Sequence, residues 1–125
     1  MAKVTGVGGV FIRSKDPKAL AAWYAEHLGI VLDDYGGASL KWDDVRDGTG
    51  VTVWSAFPDD TKYFGEGQQA VMINYLVDDL DALLVKLTAA GVWVDPKRQD
   101  ESYGRFAWIK DLDGNRLELW QPLST

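Results

Sequence analysis

Apolar and polar positions alternate over residues 4–13 (VTGVGGVFIR), with Val10 and Ile12 on one face and Gly9, Phe11 and Arg13 on the other, so the pattern predicts a strand. The spacing then lengthens. Ala19, Leu20, Trp23, Tyr24 and Leu28 recur at helical intervals, with Asp16 as N-cap, Pro17 at the first helical position and Gly29 as C-cap. Three short strands follow at about 30–35, 37–43 and 50–57, punctuated by Gly36-Gly37 and by Asp47-Gly48-Thr49-Gly50. Residues 58–69 (PDDTKYFGEGQQ) show no apolar period and read as a connecting loop.

The pattern then restarts. Residues 71–77 predict a strand, and Asp79 caps a helix carrying Leu80, Leu83, Leu84 and Leu87 that Gly91 closes. Strands are expected near 92–95, 104–110 and 115–121. Asp16 matches Asp79, Ala19-Leu20 matches Ala82-Leu83, and Gly29 matches Gly91 after a one-residue deletion. One domain over residues 1–125 is therefore expected, built from an internal repeat, 4–57 and 70–122, joined by loop 58–69. Each half reads strand–helix–strand–strand–strand, an α+β arrangement. A four-stranded half cannot cover its own apolar face, so the two are expected to pair around a cleft with the helices outside.

Residues 109–122 (IKDLDGNRLELWQP) hold the most informative alternation. Asp111, Asp113, Gly114 and Asn115 make a tight turn, and Leu117 and Leu119 then alternate with Arg116, Glu118 and Trp120. A carboxylate fixed in mid-strand must face water, a cation or a metal, because a buried unpaired charge is costly. What Glu118 faces is the functional question.

Composition narrows the classes. There is no cysteine, so disulfide scaffolds, thiolate metal sites and cysteine nucleophiles are excluded. A net charge of -6 argues against nucleic-acid or anionic-membrane partners. No apolar run approaches the ~20 residues of a membrane span and no signal-peptide core is evident, so a cytoplasmic location is expected. Six tryptophans and five tyrosines point to aromatic surface in a core, a pocket or a subunit interface.

The duplicated βαβββ unit, with its DPKALAAWYAEHLG helix and DLDGNRLELW hairpin, resembles the vicinal oxygen chelate superfamily of glyoxalase I, bleomycin-resistance proteins and extradiol dioxygenases. The resemblance covers about residues 4–122 and implies two βαβββ modules pairing into a curved eight-stranded cleft. It also implies a homodimer. In metal-dependent members four strand residues hold one divalent ion, and the resemblance places these at Gly9, Val53, Met72 and Glu118. Only Glu118 is a plausible ligand, and a divalent ion needs several converging N or O donors. No cofactor is therefore expected, the alternative being a divalent metal recruited by Glu118.

Each candidate residue has a structural and a functional reading. Glu118 fits a hydrogen-bond acceptor or general base, or a salt bridge to Arg13 or Arg116. His27, the only histidine, fits the last turn of the first helix, satisfying terminal carbonyls. Gly8-Gly9 fits either close approach of a ligand or a bend in the sheet. By strand parity Phe11, Trp120 and Trp108 or Phe106 look into the cleft, whereas Trp54 and Tyr75 face the helices. The loops around Tyr63-Phe64 and around Tyr103-Gly104-Arg105 fit lids, connectors or dimer contacts. The expected ligand-binding set is Gly9, Phe11, Arg13, Val53, Met72, Asn74, Tyr103, Arg105, Trp108, Arg116, Glu118 and Trp120, with Glu118 as the candidate catalytic group. The function expected is metal-independent binding of an aromatic or amphipathic small molecule. The alternative is a lyase, isomerase or dioxygenase, using either a metal recruited by Glu118 or Glu118 as a metal-free base.

Overall fold

The computed structural model describes residues 2–41 and 51–123. Its elements run β1 (Val4–Ser14), α1 (Pro17–Leu28), β2 (Ala38–Lys41), β3 (Val51–Pro58), β4 (Val71–Val77), α2 (Leu80–Ala89), β5 (Val94–Glu101), β6 (Gly104–Lys110) and β7 (Arg116–Pro122). The chain is α+β; among its seven described strands β2, β3 and β1 lie side by side in that order, as do β4, β7, β6 and β5.

The sequence predicts eight strands, and the one without a counterpart is residues 30–35. A turn takes its place. The Asp33 N–H donates to Gly37 O at 2.7 Å, Gly36 N–H donates to Asp33 O at 3.1 Å, and the Asp33 carboxylate accepts from Tyr35 N at 2.9 Å. Ile30 and Leu32 still pack against Ala21, Ala38 and Trp54. Their alternation marks burial with no ladder behind it. The ends of the two neighbouring predicted strands, and the turn at 47–50, lie outside the described residues.

Contacts divide the chain into two units, residues 9–71 and residues 1–8 with 72–125. In the first, the Asp16 side chain accepts from Ala19 N at 3.1 Å to start α1, and Gly29 ends it in the left-handed region at φ 71°. α1 rests on β3 through Tyr24, whose ring centre lies 4.5 Å from that of Trp54. β3 pairs parallel with β1, Gly9 opposite Val53, and antiparallel with β2. The segment after β3 is held by its rings: Tyr63 stacks on Phe57 at 5.4 Å, and buried Phe64 lies under the Arg13 guanidinium.

In the second unit α2 begins with Asp79 accepting from Ala82 N at 3.1 Å, while Leu80 N–H donates to the Gln121 side chain at 2.8 Å. One sheet face buries Val77, Ala107, Ile109 and Leu119 beneath Leu80 and Leu83 of α2. β5 extends to Glu101, well beyond the expected 92–95. Its sequence VDPKRQDE carries no apolar alternation because it is an edge strand. Its ladder is irregular between Val94 and Arg98, where Pro96 has no N–H to give. The β6–β7 turn forms as expected: Asp111 accepts from Asp113 N at 3.0 Å, Asn115 N at 2.9 Å and Asn115 Nδ2 at 3.1 Å. Among the described residues no helix is long and apolar enough to cross a membrane.

Candidate functional site

The face of β4, β6 and β7 turned away from α2 carries the polar chemistry. Register sets Asn74 of β4 and Trp108 of β6 on either side of Glu118 in β7. Asn74 Nδ2 donates to Glu118 Oε1, and Trp108 Nε1 donates to Oε2 at 2.9 Å. Asn74, Trp108 and Glu118 are 2%, 2% and 1% exposed, so the carboxylate is removed from bulk water and held by neutral donors from both neighbouring strands. Hydrogen bonds to a charged group are each worth about 1.5–3 kcal/mol, which offsets part of the cost of burying it.

Arg116, offered by the sequence as an ionic partner of Glu118, pairs with Asp95 at 2.9 Å. Its guanidinium also lies 5.5 Å from the Trp108 ring centre, and Lys97 Nζ lies 5.7 Å from the same ring. The Lys97 backbone N–H and then the Arg116 guanidinium hold Asp95 below the usual carboxylate range, against partial burial that pushes it up. Arg13, the other ionic partner offered, lies in the unit of residues 9–71, over Phe64 at 5.1 Å and donating to Thr61 O at 3.4 Å.

Beside Glu118 on the same face of β7, the Trp120 indole stacks on Phe106 at 5.8 Å and 10°, and Tyr103 meets Phe106 edge-on at 5.9 Å. Among the described residues, Trp120 Nε1 and Asn74 Oδ1 are buried and find no hydrogen-bond partner. The sequence names Gly8 and Gly104 without pointing to a partner for either. A side chain on Gly8 would strike Asn74 and Trp120, and one on Gly104 would strike Trp120. At Gly9 the ring of Phe11 fills the space, 2.9 Å from where a Cβ would stand. The double glycine therefore makes room for the protein's own side chains, which neither sequence reading anticipates.

Asn74, Trp108, Arg116, Glu118 and Trp120 thus come together, with Met72 buried two residues before Asn74 on the same face. Tyr103 stands half exposed at the edge of this group. Arg105 does not join it: strand parity puts it on the α2 face, where it pairs with Asp81 at 3.2 Å. Gly9, Phe11, Arg13 and Val53 belong to the unit of residues 9–71. His27 lies in the last turn of α1, 3.4 Å from Glu26 and with its ring 4.9 Å from Trp23. Asp95, which fixes Arg116, escapes a sequence reading because an edge strand without apolar alternation hides its position.

Among the described residues the donors around Glu118 do not make up a set that fits a divalent metal. Gly9 and Val53 face each other without a donor side chain, and the residue level with Glu118 is Asn74 rather than Met72. Among the described residues no group of three or more His, Cys, Asp or Glu side chains is placed to hold an ion.

Comparison with known proteins bears on the same arrangement. Residues 6–119 match the family model described as Glyoxalase/Bleomycin resistance protein/Dioxygenase superfamily. No curated protein matches significantly. Among solved structures, the chain is similar to a variant of the methylmalonyl-CoA epimerase of Streptomyces coelicolor in complex with 2-nitronate-propionyl-CoA, with TM-score 0.72 and 20% identity, covering 98% of this chain and 100% of that one. The methylmalonyl-CoA epimerase of Mycobacterium tuberculosis gives 0.66 and 24% identity, covering 97% and 90%. A superfamily member from Vibrio splendidus 12B01 gives 0.57 and 14%, covering 97% and 99%. At these identities the likeness is one of fold.

Proposed function

We propose that this chain, which belongs to the Glyoxalase/Bleomycin resistance protein/Dioxygenase superfamily, is a metal-independent small-molecule-binding protein whose polar anchor is Glu118. One observation carries the reading: a carboxylate 1% exposed, on a sheet face with buried Met72 and Trp108, met by Asn74 and Trp108. A core needed only for stability gains more from an apolar side chain at such a place, since desolvating a carboxylate costs several kcal/mol. Polar groups kept in an apolar setting against that cost are common anchors of ligand sites. The stacked Phe106–Trp120 pair beside it suits an aromatic or amphipathic ligand. The proposal retains the duplicated modules, residues 4–57 and 70–122 joined by 58–69. It also retains a paired-module cleft, a homodimer and a cytoplasmic location.

A second reading, metal-free proton transfer with Glu118 as base, is favoured by two of the similar solved structures being epimerases, one of them with 2-nitronate-propionyl-CoA bound. Chelator-treated protein would be screened by thermal shift against aromatic compounds and methylmalonyl-CoA, with exchange of the substrate α-hydrogen followed by NMR in D2O. Binding without exchange is the expected result. Exchange that disappears in Glu118→Gln while binding persists would select the second reading. A requirement for added metal would overturn both.

A further inference from the structure

We infer that Gly8 and Gly104 are positioning residues that seat the Trp120 indole flat and thereby select a planar ring in the ligand. The inference rests on the small-molecule reading above. Neither glycine has a positive φ, so neither is required by backbone conformation. Glycine inside a strand is costly, and its retention calls for a reason of space. At both positions part of that space is filled by the Trp120 indole, and at Gly8 Asn74 Oδ1 stands closer still. A Cβ on Gly8 would stand 2.9 Å from Trp120 Cε3, and one on Gly104 would stand 2.9 Å from Cδ1 and strike Nε1.

The benzo edge of the indole therefore lies against β1 and its pyrrole edge against β6, while Phe106 stacks on one face at 10°. Both edges and one face are occupied, yet Trp120 is not fully buried. Its partial exposure leaves part of the ring for a planar ligand to stack on. Glu118, two residues away on the same face, can accept from a hydroxyl or amine on the stacked ring only in place of the Asn74 or Trp108 donor it now holds. The ligand class is a planar aromatic bearing one hydrogen-bond donor.

The probes are 2-naphthol and its saturated analogue, decahydro-2-naphthol, with 5-fluorotryptophan-labelled protein read by 19F NMR. Trp120→Phe identifies the Trp120 resonance among the six tryptophans. The expected result is that 2-naphthol shifts this resonance and binds about tenfold tighter than the saturated analogue, the equivalent of one aromatic stack. Gly104→Ala should reduce that preference below about threefold, an effect that a purely structural glycine would not produce. Should Gly104→Ala fail to fold, Trp120→Phe must reduce the preference in the same way. Binding of 2-naphthol that depends on Glu118 but leaves the Trp120 resonance unmoved, or keeps its preference in these variants, overturns this inference and leaves the small-molecule reading standing. Failure of both probes to bind overturns both.

Discussion

Glu118 is held from two strands, and each donor can be removed singly. Trp108→Phe keeps the ring and deletes the N–H to Oε2, leaving the buried carboxylate with one donor fewer. The expected loss is about 1–3 kcal/mol in urea unfolding, with the fold retained. Asn74→Asp is harsher, since it sets a second carboxylate against the first. Like charges raise the folded-state pKa of the pair above its unfolded value, so the charged form is disfavoured and stability falls as pH rises. The variant should lie closest to wild type near pH 4 and furthest from it at pH 7, in unfolding curves taken at both. Equal deficits at the two pH values would mean that the introduced carboxylate and Glu118 do not share a site.

The helix starts and the terminal hairpin obey local rules, which is why they were legible. Asp16, Asp79, Pro17, Gly29 and the Asp111–Asn115 turn each act within a few residues of themselves. The two misread segments depend on distant partners. Residues 30–35 alternate because Ile30 and Leu32 meet Trp54, and β5 is a strand because β6 offers it a ladder. Gln121→Ala should cost about 1 kcal/mol by removing the long-range cap on Leu80 N, whereas a cap read from sequence alone would assign that role to Asp79 only. The same elements set the acid limit. Asp78 is held below the ordinary value of 3.8 first by the Lys3 N–H, Asp81 by Arg98, Asp95 by the Lys97 N–H and Asp111 by Asn115. A depressed folded pKa gives stability that is fully present above 3.8 and lost as pH falls through the lower folded values. Acid unfolding should therefore begin below about pH 4, and Asn115→Ala should move its midpoint upward.

At the scale of the whole molecule, the family, whose model matches residues 6–119, was legible in the helix and hairpin stretches that carry the resemblance, and Glu118 drew notice because a carboxylate interrupts an apolar strand. Its partners were not legible. Asn74 is 44 residues away and Trp108 ten, and only strand register brings them level with it. Arg116 is drawn to Asp95 on an edge strand whose sequence announced nothing. The central claim is that ligand binding runs through the Glu118 site without a metal. Isothermal titration of chelator-treated protein with 2-naphthol tests it most directly. The account predicts one site whose affinity is unchanged by added Zn2+, Mn2+ or Co2+ and falls about tenfold or more in Glu118→Gln. Binding that appears only after one equivalent of metal is added, or that is indifferent to Glu118→Gln, would contradict it.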